Sequence, residues 1–160
     1  MTQGMAKSAQ SVQAALTKKG LSCTVVEMAA STRTAQDAAT ALGCEVAHIA
    51  KSLIFKTATT HRPVLVVASG PNRVDEKIIA FHVGEAIVKA DAPFVREVTG
   101  FAIGGIPPIG HAQKIEHIFI DRDLLKFEML WAAAGTPNAV FNIGTGDLVG
   151  MINGTIIAVY

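Results

Sequence analysis

The 160-residue chain carries no excess of either charge: 14 Lys and Arg stand against 13 Asp and Glu, a formal net of +1. That balance excludes a protein that coats long stretches of nucleic acid, a mode that needs many phosphate contacts. It leaves open a partner gripped at one end or through a single nucleotide. Long apolar runs are also missing. A membrane span needs ~18 consecutive apolar residues, and the nearest approach, Leu148 to Tyr160, is broken by Asn153-Gly154. Met1 to Ser11 is polar and lacks the apolar stretch of a secretory signal. A cytoplasmic location with no membrane partner is therefore expected. Cysteine is scarce: Cys23 and Cys44 have no C-x-x-C spacing, which excludes a disulfide framework and leaves two small buried hydrophobes. The five histidines (His48, His61, His82, His111 and His117) show no metal-ligand spacing, so no metal is expected. A P-loop, a G-x-G-x-x-G after a strand and a G-x-S-x-G elbow are all absent, and no cofactor is expected.

What is present is a chain that can build a core. Half of the residues are apolar and 17% are charged, which excludes a disordered linker. Mean hydropathy is +0.39, much of it from alanine. No repeat, low-complexity segment or Pro/Gly/Ser linker divides the chain, so residues 1–160 are expected to form one domain. The apolar spacing of Val12, Ala15 and Leu16 predicts a helix over Ser8 to Lys19, stopped at Gly20. Thr34-Ala35-Gln36-Asp37 resembles a capping box opening a helix that ends at Gly43. Further helices are predicted from Asp75 to Val83, from Asp91-Ala92-Pro93 to Thr99, and near Thr145-Gly146-Asp147. Strands are predicted at 23–28, 50–57, 64–68, 117–121, 129–133, 139–143 and 155–159. Several are joined by tight turns. The pattern favours an α+β fold, a mixed, largely antiparallel sheet with flanking helices, over a doubly wound parallel one.

Gly104-Gly105-Ile106-Pro107-Pro108-Ile109-Gly110-His111 is the most informative stretch. Two adjacent glycines let the backbone approach a ligand closely, and the prolines stiffen the next step without offering N–H donors. It suggests a site made mostly of main chain; the alternative is a structural turn. Lys51 is the second candidate. Alternate residues of a strand share a face, so Lys51 falls among Ile49, Leu53 and Phe55, one cation in an apolar row. It is either a lysine snorkelling to water or a cation aimed at a carbonyl or phosphate oxygen at the mouth of an apolar pocket. Gly135-Thr136-Pro137-Asn138 is a hairpin turn or a second ligand loop, with Thr136 and Asn138 as polar groups. His111 is a surface histidine or a donor or general base beside the first loop.

Taken in order, Ile49-Ala50-Lys51-Ser52-Leu53-Ile54-Phe55, the Gly104–Gly110 segment and Ala134-Gly135-Thr136-Pro137-Asn138 resemble the YbaK/EbsC family, free-standing relatives of the editing domain of bacterial prolyl-tRNA synthetase. The resemblance covers roughly Thr34 to the C-terminus. It implies a compact mixed sheet with flanking helices. It also implies an aminoacyl-tRNA deacylase that cleaves the ester joining a wrong amino acid to the tRNA 3′ end, on a mischarged tRNA for proline or a similar small amino acid. Its partners would be the tRNA 3′ end and an aminoacyl-tRNA synthetase. By this resemblance Lys51 matches the family's essential lysine, the segment Gly104 to Pro108 matches a G-x-x-x-P loop that holds the aminoacyl group, and Gly135 matches a glycine beside the pocket. Pro107-Pro108 and Thr136-Pro137-Asn138 mark a subgroup apart from the cysteine- and alanine-specific members, so neither specificity is carried over. Arg73, Lys77, Lys89, Arg96 and Lys114 are either phosphate contacts or solubility charges. Two other readings stand beside the enzyme: a non-catalytic module that binds an aminoacyl or nucleotide end, or serves as a synthetase partner, and a structural or oligomer-forming domain.

Overall fold

Helix ends in this chain are written by short polar side chains and glycines. In a computed structural model that describes residues 4–160, Thr34 Oγ1 accepts from the Asp37 amide at 3.0 Å and starts α2 (Ala35–Leu42). Asp75 accepts from the Lys77 amide and starts α3 (Glu76–Val83). Asp91 accepts from the Phe94 amide and, with Pro93 in the first turn, starts α4 (Ala92–Thr99). Each side-chain oxygen satisfies an amide that has no partner inside its helix. The remaining helices are α1 (Lys7–Lys18) and α5 (Thr145–Ile152).

The strands are β1 (Val25–Glu27), β2 (Ile49–Thr57), β3 (Pro63–Ser69), β4 (Ile87–Lys89), β5 (His117–Asp121), β6 (Met129–Ala133), β7 (Ala139–Gly144) and β8 (Thr155–Ile157). They form one eight-stranded sheet in the order β1-β7-β6-β2-β3-β5-β8, with β4 also paired to β2. Pairs β1–β7, β6–β7, β2–β3 and β2–β4 are antiparallel; β2–β6, β3–β5 and β5–β8 are parallel. The sheet is therefore mixed and mainly antiparallel, as the turn-rich sequence indicates. β4 was not anticipated: three residues carry too little alternation to announce a strand, and the pairing with β2 creates it.

Both faces of the sheet are covered. Ala50, Ile54, Leu65 and Val67 pack with Val12 and Leu16 of α1, Val95 and Val98 of α4 and Leu148 of α5. Phe55, Val64, Val66 and Ala68 pack on the opposite face with Ile79 of α3. The alternation along β2 is thus the one expected, and each fully buried Leu or Ile contributes about 1.5–3 kcal/mol. Beside Ile49, a third cluster joins Ala38 and Ala39 of α2. Cys23 and Cys44 are free and only half-buried, a correction to the expectation of two buried residues. Among the described residues no helix is long and apolar enough to cross a membrane.

Candidate active site

The side of β2 away from β3 is shared by two short partners. β6 pairs only with Ile49 and Ala50, and β4 only with Phe55 to Thr57. From Lys51 to Leu53 no strand among the described residues runs alongside on that side, so the sheet has a slot. A cavity of about 650 Å³ opens there. It meets Ala50 and Ile54 on one face of β2, and Lys51 and Leu53 on the other. The slot lets one chamber touch both layers and a length of bare strand edge.

Lys51 Nζ donates to the Gly70 carbonyl at 2.9 Å. Burial pushes the Lys51 ammonium below the usual lysine range, and the charge of Asp121 opposes that shift. Asp121 is fully buried. Its carboxylate accepts from the Ser69 amide at 2.9 Å, from Asn72 Nδ2 at 2.8 Å and from the Asp123 amide at 2.9 Å. Those bonds fix the turn Gly70-Pro71-Asn72-Arg73, whose last three residues line the cavity. One buried carboxylate therefore holds the turn that receives the ammonium and offsets part of the cost of desolvating it.

The opposite wall is main chain. Gly104, at φ +102°, Gly105 and Ile106 line the cavity. The Gly135 amide donates to the Gly105 carbonyl at 2.8 Å. A Cβ on Gly105 would fall 2.7 Å from the Thr136 carbonyl carbon, so the two glycine-bearing loops meet backbone against backbone and only glycine fits between them.

A sequence profile of the aminoacyl-tRNA editing domain matches residues 29–151. The chain belongs to that family. This editing domain is also 30% identical, over 88% of each chain, to the Bacillus subtilis (strain 168) protein YwhH. Two solved structures superpose closely on it. One, described as a candidate trans-editing enzyme for prolyl tRNA synthetase, is 40% identical with a TM-score of 0.90, over 97% of this chain and 98% of its own. The other, the hypothetical protein APE2540, is 28% identical with a TM-score of 0.85, over 93% and 98%. The YbaK/EbsC resemblance and the α+β class are borne out.

The editing domain distributes its sequence-marked residues unevenly. Lys51, Gly104, Gly105 and Ile106 line the cavity. Pro107, Pro108, Gly135, Thr136, Asn138 and His111 do not. Pro107 and Pro108 are buried. Thr136 Oγ1 donates to Asn138 Oδ1, and Asn138 Nδ2 donates to the Met28 carbonyl, so their polar groups tie the turn to the chain between β1 and α2. His111 Nε2 lies 2.8 Å from the Pro107 carbonyl. A carbonyl only accepts, so that nitrogen carries the proton. Burial holds the His111 imidazole below the usual histidine range, against the contrary pull of the Pro107 carbonyl. His111, Pro108 and Lys114 line a separate hollow. Among the basic candidates, Arg73 and Lys89 line the cavity, whereas Lys77, Arg96 and Lys114 do not. Sequence reasoning missed Arg33, Asn72 and Asp121. The Gly70-Pro71-Asn72 run is a turn signal that could have drawn attention to Asn72. Nothing local marks Asp121.

Proposed function

We propose that the protein is a trans-acting hydrolase that clears a wrong amino acid from the 3′ end of a mischarged tRNA. The observation that carries this reading is the Lys51 ammonium, held by a main-chain carbonyl in the same chamber as Gly104 and Gly105. The chamber volume of about 650 Å³ falls within the range of small-ligand sites, about 300–1,000 Å³. Ala50, Ile54, Val95, Ile106 and Ala132 give one part of it small apolar walls, which suit a small aminoacyl side chain.

An aminoacyl ester is already activated, so its hydrolysis asks less of a site than amide cleavage. Lys51 has three N–H donors and spends one on Gly70. The others can meet the ester carbonyl oxygen, where negative charge grows as water adds, and the partly dry setting strengthens that contact. Water adds to the acyl carbon, the acyl–oxygen bond breaks, and the ribose oxygen leaves with a proton. The products are a free amino acid and an intact tRNA. Among the described residues Glu76 is the one carboxylate in the wall, and no histidine or cysteine lines it. Water is then oriented by main chain, by Glu76 or by the ribose hydroxyl next to the ester. A second sieve of this kind has a purpose, because an apolar pocket separates amino acids one methylene apart by only ~1–3 kcal/mol. The neighbouring structure described as a candidate trans-editing enzyme for prolyl tRNA synthetase supports mischarged tRNA for proline as the substrate, with the synthetase as the partner that supplies it.

A panel of mischarged tRNAs tests the proposal. Cleavage of at least one ester well above its spontaneous rate is expected, together with its loss in Lys51→Ala. Saturable binding of a non-hydrolysable aminoacyl-adenosine analogue with no turnover would replace the enzyme with a binding module.

A further inference from the structure

Arg33 stands at the edge of the cavity, immediately before the residue that caps α2, and lines the chamber together with Gly104. Its side chain lies where Gly104 has no side chain of its own. A Cβ built on Gly104 would fall 2.8 Å from Arg33 Cγ and 2.9 Å from Nε. The backbone below is fixed as well, since the Arg33 amide donates to Ser31 Oγ at 3.2 Å. Among the described residues the guanidinium has no carboxylate within salt-bridge distance and no hydrogen-bond partner. Among the described residues Arg33 is thus an exposed, unpaired planar cation whose stem occupies the space a Gly104 side chain would take.

We propose that Arg33 clamps the phosphodiester that joins the terminal nucleoside of the substrate to the nucleotide before it. This rests on the deacylase reading and extends it from the amino acid to the RNA. Within an aminoacyl-tRNA end the carboxyl group is esterified and the α-amine is a donor, so the first anion a guanidinium can meet is that phosphate. A guanidinium offers two parallel donors in a fork that matches phosphate oxygens. Arg73 and Lys89, both exposed, add positive charge to the same chamber, against Glu76 alone. Lys51 serves the ester and Arg33 the backbone one step away, so the two cations divide the substrate between them. The arrangement also gives Gly104 a second task beyond its φ of +102°: it leaves room for the arginine stem.

The test compares wild type, Arg33→Ala and Arg33→Lys on the mischarged tRNA that wild type cleaves fastest, and on the matching 2′(3′)-aminoacyl-adenosine, which has no phosphate. Loss of one charge-assisted contact predicts a fall of about 10- to 100-fold in kcat/KM on tRNA, carried by KM, against at most about 2-fold on the adenosine ester. Arg33→Lys keeps the charge without the fork and should recover only part of the loss. In Arg33→Ala the slope of log KM against log salt should become shallower by about 0.7, the value for one phosphate on a single strand. Equal losses on the two substrates, or no loss on either, overturn the clamp. Titration of the trinucleotide CCA decides it without turnover: wild type should bind about 10-fold or more tighter than Arg33→Ala, and equal affinities overturn it. A wild type inert on every ester would instead overturn the deacylase reading.

Discussion

The two halves of the glycine-proline stretch face opposite ways. Gly104, Gly105 and Ile106 line the same cavity as Lys51, whereas Pro107, Pro108 and Ile109 are buried outside it and His111 turns back onto the Pro107 carbonyl. Eight consecutive residues thus divide between a cavity wall and the brace behind it. The front half meets the chamber through main chain, and the rear half holds that main chain still. A motif that looks uniform in sequence need not line a cavity uniformly.

Substitutions on the two sides should therefore behave differently, and the sharpest contrast is set by Lys51. Lys51→Ala removes an ammonium bonded inside the chamber and should lower kcat by about 10²–10³-fold, with a thermal melt close to wild type. A deacylation assay against the spontaneous rate checks this. Gly105→Ala forces a methyl group against the Thr136 backbone, and overpacking of this kind costs about 1–3 kcal/mol. Both the melting temperature and kcat/KM should fall, because the same seam shapes the cavity. If activity survived intact while stability dropped, the front half would be no more than a brace.

Asp121→Asn sharpens the account of the opposite wall. In the proposed chemistry Lys51 meets the ester oxygen as an ammonium, and burial already holds its pKa below the usual range. Activity should therefore fall as pH rises through that lowered value. Removing the Asp121 charge removes the influence that raises it, so the alkaline limb should move to lower pH. An unmoved limb in a pH–kcat profile would separate Asp121 from Lys51. The smallest effect is expected at His111. His111→Ala gives up one hydrogen bond to a carbonyl, about 1 kcal/mol of stability, and should leave kcat within a few-fold of wild type. A loss rivalling that of Lys51→Ala would place His111 in the chemistry and erase the division between the halves.

Most of the fold was legible because its signals are local. Thr34, Asp75 and Asp91 cap the helices they mark, and the alternation along β2 matches the two cores it separates. β4 escaped, since its three residues become a strand only by pairing with β2. The site was legible in part. Lys51 and Gly104 announced themselves as a cation in an apolar row and a loop without side chains. Asp121 lies 70 residues from Lys51 in sequence, at the end of an ordinary strand. Its bearing on the ammonium exists only after β3 and β5 pair side by side. Arg33 gave no signal either, because what distinguishes it is the absence of a methyl group on a glycine 71 positions away. Thr136 and Asn138 show the other direction: polar turn residues look available to a guest, and here they lie outside the cavity wall with hydrogen bonds to Met28 and to each other.

The break in pairing along β2 has an evolutionary consequence. Amides and carbonyls of a strand edge persist under any substitution short of proline, so whatever grip they supply cannot drift away with the side chains. Ala50, Ile54 and Ala132 around that edge belong to the core as well as to the cavity wall, so a change of size there alters pocket and packing together. A lineage that reshapes the chamber through these side chains must keep the core filled, while the polar atoms of the edge stay as they were.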